Sequence, residues 1–128
     1  MRPRFIFLLG ILVFFLDRIS KFLALSFHTY TTNSGAAFGL LQHHSLFLSL
    51  VAFLALVFFV WYTFHSPFYE LGFLLGGTAG NLFDRLFFGS VIDFINLGFF
   101  PVFNYADLFN TLGILLLIYR LEFMHLQK

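Results

Sequence analysis

Two aspartates, each beside a long apolar run, have the residue type and setting for acid–base chemistry. Asp93 lies in VIDF and Asp107 in FNYAD, and the segment joining them is itself apolar. If folding brings the two carboxyls together, both cannot ionise at once, so one pKa falls and the other rises. The ionised carboxyl can take a proton from water while the protonated one donates to a carbonyl oxygen. The pattern favours hydrolysis and leaves open which aspartate holds the proton, because such a pair titrates jointly.

Both aspartates also have a simpler, structural interpretation. Asn104 and Asp107 stand three residues apart, which is the spacing of a capping box at the start of a helix. Asp93 could be the carboxylate of a solvated loop. Only the placement of the two side chains separates these interpretations from a reactive pair.

A second polar group lies in GGTAGNLFDR. Glycines recur every fourth residue at positions 72, 76 and 80, and Asp84 continues the series. On a helix this ridge drifts by only about 40° per step, and small residues at this spacing let a neighbouring helix approach closely. Asp84 is therefore predicted to face protein, with Asn81 and Arg85 as neighbours one turn apart. The alternative is a packing groove that ends in an interfacial Asp–Arg anchor.

The first apolar segment carries an acid–base pair of its own. Asp17 and Lys21 are spaced i, i+4 with the acid first, the favourable order on a helix. We assign them a structural role. Arg18 stands on a different face of the helix and is expected to meet lipid headgroups.

The segment TTNSGAAFGLL, residues 31–41, is polar and interrupted by glycine. Small residues permit a turn, or a backbone edge open to an extended peptide. On this segment alone, an ordinary connector is the favoured interpretation.

Composition predicts the elements that must position these residues. The chain has 128 residues, of which 60% are hydrophobic and only 10% charged, whereas a soluble domain carries about 25% charged residues. A span needs about 20 mostly apolar residues, and four segments qualify: 5–25, 46–64, 68–88 and 105–124. We predict an all-α membrane protein, a four-transmembrane-helix bundle forming one domain over residues 1–128.

The basic residues predict the orientation of this bundle. Arg2 and Arg4 precede the first span, and Arg120 and Lys128 lie near the end of the fourth, whereas 27–44 and 89–104 contain neither Lys nor Arg. Both termini are therefore predicted to be cytoplasmic. Four of the six acidic residues then collect at the outer face, namely Asp17, Asp84, Asp93 and Asp107. This convergence indicates a site at the outer membrane boundary.

Several classes of site are disfavoured by residue content. The absence of cysteine excludes disulfides, thiolate metal sites and a cysteine nucleophile. His43 and His44 lack acidic partners at metal-ligand spacing, so we predict no metal and no cofactor. No basic run with interleaved aromatic residues is present, so a nucleic-acid partner is not expected.

Taken together, LDRISK, NSGAAFG, GGTAGNLFDR and VIDF…FNYAD resemble the signal peptidase II family in order and place. That family is a group of four-helix membrane aspartic proteases of bacteria, which cleave the signal peptide from prolipoproteins before a cysteine bearing diacylglycerol. The resemblance implies that Asp93 and Asp107 are the catalytic pair. It implies supporting or substrate-binding roles for Asn33, Gly35, Asn81, Asp84, Arg85 and Asn104, and it places Asp17 and Lys21 in the first-helix motif.

The chain departs from the family in two places. Arg18 stands where the family usually has glutamine, and the link from the first helix to NSGAAFG is very short. We therefore expect only a small extracytoplasmic β-like cradle. The resemblance implies a bacterial cytoplasmic (inner) membrane location, a diacylglyceryl-prolipoprotein substrate and membrane lipid as partners, and a monomer is expected.

Two other functions remain open on the sequence. A lipoprotein-binding scaffold without catalysis is compatible with the shortened outer loop. A proton-coupled transporter would need polar groups through the whole membrane depth, and the second predicted helix lacks them.

Overall fold

A computed structural model describes residues 2–127 as four long helices and a small sheet. The helices are α1 (Pro3–Ser26), α2 (Ser45–His65), α3 (Glu70–Phe88) and α4 (Tyr105–Leu126). The strands are β1 (Thr31–Asn33) and β2 (Val91–Asp93). Each predicted apolar segment agrees with one helix to within two residues at both ends.

Helix α3 is the centre of the bundle and the most deeply buried of the four. Its glycine ridge explains this position, because side chains of α1 occupy the space that side chains on α3 would need. An added Cβ at Gly72 would meet Leu9, and one at Gly80 would meet Asp17. The predicted close approach is confirmed, and Asp84, the next position on the ridge, is fully buried.

The outer surfaces of the helices are apolar. Large side chains such as Phe22, Phe58 and Leu115 are more than half exposed, as is expected where lipid replaces water. Within residues 2–127, α2 and α4 are long and apolar enough to cross a membrane by length and composition. Helices α1 and α3 also carry charged residues, of which Asp17, Lys21, Glu70 and Asp84 are buried.

Strand β1 follows α1 and β2 follows α3, and the two strands pair at the end of the bundle where these helices finish. They pair antiparallel, with Thr31 opposite Asp93 and Asn33 opposite Val91. A further bridge between Ile95 and Phe103 closes the apolar segment that leads into α4. The small β structure expected from the short link is therefore present.

The other end of the bundle is held by an ion pair that the sequence did not predict. Arg120 Nε donates to Glu70 Oε1 at 2.7 Å, and Glu70 is 1% exposed. This contact fixes the start of α3 to the last third of α4.

Candidate active site

The structure brings Asp93 and Asp107 together through a single residue, Asn104. Asn104 Nδ2 donates to Asp93 Oδ1 at 2.8 Å, and the Asn104 backbone N–H donates to Asp107 Oδ2 at 3.0 Å. Asn104 is fully buried, and both aspartates line one cavity. We call Asp93 and Asp107 the dyad.

The capping box predicted from the sequence coexists with the dyad. Asn104 Oδ1 accepts from the Asp107 backbone N–H at 2.9 Å, and the Asp107 carboxylate accepts from the Asn104 N–H in return. The first turn of α4 thus fixes one carboxyl of the dyad. The second carboxyl oxygen of Asp107 accepts from Asn81 at 2.9 Å.

The interpretation of Asp93 as a solvated loop carboxylate is wrong. It ends β2 and is only 3% exposed, and its carboxyl accepts from Asn104 inside the protein. Burial, followed by the charge of Asp107, raises the pKa of Asp93 to about 7. The side chains of Asn33 and Asn104 and the charge of Lys21 oppose this rise in pKa.

Asn81 links the dyad to a buried cation. Its Oδ1 accepts from Asn104 Nδ2 and from Lys21 Nζ, each at 3.0 Å, while its Nδ2 donates to Asp107. Lys21 is 1% exposed. The positive charge of Lys21 therefore lies one amide away from the dyad.

Lys21 belongs to a buried group that we call the ion-pair cluster, formed by Asp17, Arg18, Lys21 and Asp84. Lys21 Nζ lies 2.9 Å from Asp17 and 2.7 Å from Asp84. Arg18 Nη2 lies 2.9 Å from Asp17 and 2.6 Å from Asp84. Two carboxylates and two cations cancel in formal charge, which limits the cost of burying them.

The expectation that Arg18 meets lipid headgroups is wrong. Its long side chain reaches from the neighbouring face of α1 to Asp84, and Nη2 also donates to the Gly80 carbonyl at 3.1 Å. Without Arg18, Lys21 alone would face two buried carboxylates. Attraction to the buried carboxylates of Asp17 and Asp84 therefore draws the Arg18 side chain inward, although its helical position is on a different face of α1.

The ion-pair cluster also holds the backbone beside each dyad residue. Asp84 Oδ2 accepts from the N–H of Ile92, the residue before Asp93, at 3.1 Å. Asp17 Oδ1 accepts from the N–H of Ala106, the residue before Asp107, also at 3.1 Å. Sequence reasoning missed both contacts, because neither follows from a spacing within one helix.

Arg85 turns away from Asp84 and toward the segment after β1, so the interpretation of an Asp84–Arg85 anchor is wrong. Its Nη2 donates to the Gly35 carbonyl at 3.2 Å. Asn33 Oδ1 accepts from the Gly35 N–H at 2.9 Å and from Gln42 at 3.2 Å, so the segment is folded on itself. An added Cβ at Gly35 would collide with the Leu40 carbonyl. The segment interpreted as a connector is one wall of the cavity.

The cavity has a volume of about 710 Å³. Its polar part is lined by the dyad, Asn81 and Arg85, and its apolar part by the segment 97–103 and by α4. Along α4 the lining continues past the dyad through Leu108, Asn110, Thr111 and Ile114. Within residues 2–127, no group of three or more His, Asp or Glu side chains could hold a metal ion. The arrangement suits hydrolysis of an apolar chain.

The chain is similar to proteins of one family over most of its length. The family model described as signal peptidase (SPase) II matches residues 9–123. A lipoprotein signal peptidase of Syntrophomonas wolfei is 43% identical, with 84% of this chain and 86% of the relative covered. One of Caldanaerobacter subterraneus is 38% identical, with 87% and 91% covered.

Solved structures agree with this relationship. A bacterial membrane enzyme determined by the in meso method at 2.3 Å resolution superposes with a TM-score of 0.81 at 27% identity, covering 89% of this chain and 85% of that one. A second, at 1.9 Å resolution, gives a TM-score of 0.76 at 27% identity and covers 89% and 90%. The family predicted from the four motifs is confirmed: the chain belongs to the signal peptidase II family.

Proposed function

We propose that this chain is an aspartic endopeptidase that removes the signal peptide from diacylglyceryl-modified prolipoproteins. The cut falls immediately before the lipidated cysteine, and Asp93 and Asp107 are the catalytic residues. The observation that carries the proposal is Asn104, which holds both carboxyls at the wall of one cavity. The names of the similar lipoprotein signal peptidases support this class of substrate.

The reaction uses one proton held by the dyad. Asp107 is the base, because two N–H donors and the start of α4 favour its anion. It takes a proton from water, whose oxygen attacks the scissile carbonyl carbon. Asp93, with its raised pKa, donates its proton to the carbonyl oxygen. When the C–N bond breaks, the amine nitrogen receives the proton from Asp107 and the carbonyl oxygen returns its proton to Asp93.

The other predicted site residues hold the dyad or the substrate. Asn81, Asn104 and the ion-pair cluster, which contains Asp17, Lys21 and Asp84, fix the positions of the two carboxyls. Asn33, Gly35 and Arg85 form the wall against which the extended substrate lies. In an apolar cavity, such fixed polar groups direct one peptide bond to the dyad.

We place the chain in the bacterial cytoplasmic membrane as one four-span domain. Charge pairing within the ion-pair cluster supports spans by α1 and α3, because the formal charges cancel inside the protein. Both termini are cytoplasmic by the distribution of basic residues, so the dyad faces the outer boundary. The dyad and its supporting residues all belong to one chain, which supports activity as a monomer.

A cleavage assay on the purified wild-type protein in lipid nanodiscs tests this function. The substrate is a prolipoprotein with or without diacylglycerol on its cysteine, and mass spectrometry locates the cut. We expect a cut before the cysteine in the lipidated form only. Binding without a cut would identify a scaffold, and proton flux in liposomes without cleavage would identify a transporter.

Activity is expected to fall as pH rises above about 7. The proton on Asp93 is needed for transfer to the carbonyl oxygen, and burial places the pKa of Asp93 at about 7. Above this value, kcat/KM should decrease about tenfold per pH unit. Rates measured from pH 5 to 9 check this, with thermal unfolding at each pH as the control. A rate that stays constant to pH 9 in the folded protein contradicts the role of Asp93.

A further inference from the structure

Beyond the dyad, Asn110 lines the cavity and forms a polar pair with Thr78 of the neighbouring helix. Thr78 Oγ1 on α3 donates to Asn110 Oδ1 on α4 at 3.3 Å. Asn110 stands three residues after Asp107 and lines the same cavity. At 1.5 Å per residue it lies about 4.5 Å further along the helix axis. The proposed mechanism uses neither residue.

The amide of Asn110 is oriented by α3. An added Cβ at Gly77 would lie 2.5 Å from Asn110 Oδ1, so the absence of a side chain there makes room for this oxygen. With the oxygen held by Thr78 and packed on Gly77, the amide nitrogen is on the other side of Cγ. Within residues 2–127, no protein group accepts a hydrogen bond from Asn110 Nδ2. The structure thus holds an N–H donor at the cavity with no protein acceptor.

The substrate of the proposed reaction supplies the matching acceptor. A peptide bond can be hydrolysed only where the chain is extended, and the carbonyls at the end of a helix have no partner within that helix. In a bilayer such unpaired carbonyls cost several kcal/mol each. Because α4 runs from the dyad toward the cytoplasm, the signal-peptide side of the substrate lies along Asn110.

We infer that Asn110, oriented by Thr78, is a substrate-positioning residue that donates to a backbone carbonyl on the signal-peptide side of the scissile bond. This inference rests on the proposed function. An extended chain advances about 3.3 Å per residue. The acceptor is therefore the carbonyl one residue before the scissile carbonyl, on the signal-peptide side. The ligand class is an unpaired peptide carbonyl, whatever the side chain beside it.

The test compares two lipidated substrates, one natural and one in which an ester replaces the amide that contains this carbonyl. An ester carbonyl is a weaker acceptor. With wild type, KM for the ester substrate should be about tenfold higher. Asn110→Leu should raise KM for the natural substrate about tenfold, change kcat little, and reduce the difference between the substrates to within about twofold.

Two variants and the wild type separate the outcomes. Thr111→Val, a neighbouring residue that also lines the cavity, should keep the wild-type difference between the substrates. Thr78→Val, which removes only the hydroxyl that orients Asn110, should reduce that difference and tests the inference if Asn110→Leu fails to fold. An unchanged KM for the natural substrate in a folded Asn110→Leu overturns the inference. So does a difference between the substrates that stays as large as in the wild type in both Asn110→Leu and Thr78→Val. Failure of the wild type to cut either substrate would instead overturn the proposed function.

Discussion

Asp93→Asn and Asp107→Asn are each expected to lower the rate of prolipoprotein cleavage on the order of 10³-fold or more. In the proposed mechanism each variant removes one of the two proton-transfer groups, and the remaining carboxyl cannot serve as both acid and base. The double variant should be little worse than either single variant, because the two residues act as a unit. Product formation measured by mass spectrometry over hours checks the rates.

The asparagine variants should remain folded, which separates lost chemistry from lost structure. In Asp93→Asn, the new amide oxygen can still accept from Asn104. Because the pKa of Asp93 is raised, the folded protein binds this proton more tightly than the unfolded chain does. The contribution of Asp93 to the stability of the folded protein therefore decreases as pH rises toward about 7. Asp93→Asn has no such titration, so its thermal stability relative to the wild type should be higher at pH 8 than at pH 5. Cleavage at the wild-type rate by either folded variant would refute the catalytic assignment.

The second large effect is expected for Lys21→Met, which should lower the free energy of unfolding by about 3–5 kcal/mol. Lys21 is buried between Asp17 and Asp84, and its loss leaves two carboxylates facing Arg18 alone. Both carboxylates hold peptide N–H groups beside the dyad, so cleavage should fall as well. Denaturant unfolding in mixed micelles and the cleavage rate measure the two effects.

The matched control is Arg4→Met, since Arg4 is exposed at the start of α1. It should change stability by less than about 0.5 kcal/mol. Adding Asp84→Asn to Lys21→Met restores charge balance and should recover part of the lost stability. If Lys21→Met is as stable and active as Arg4→Met, the ion-pair cluster does not support the dyad.

Features that depend on local spacing were predictable from the sequence. Apolar length predicted the four helices to within two residues. The glycine series predicted the face of α3 that α1 approaches, and the spacing of Asn104 and Asp107 predicted the capping box. In each case one physical rule connects residues that are close along the chain.

Contacts between distant segments were not predictable in the same way. Arg18 reaches Asp84 across 66 positions, and Asp17 reaches Ala106 across 89. The motifs identified which polar residues belong to the family but not the partner of each, because partners depend on how two helices and a sheet meet. Glu70 and Arg120 lie outside all four motifs, so their ion pair had no signal in the sequence.

The most direct test of the central claim is the protonation state of the dyad. Infrared spectra of protein with ¹³C-labelled aspartate carboxyls can follow the carboxylic acid band from pH 5 to 9, with Asp93→Asn and Asp107→Asn as references. One protonated carboxyl should be present at pH 6, be lost with a midpoint near pH 7, and be absent from Asp93→Asn. Two fully ionised aspartates at pH 6 would contradict an acid–base pair at this site.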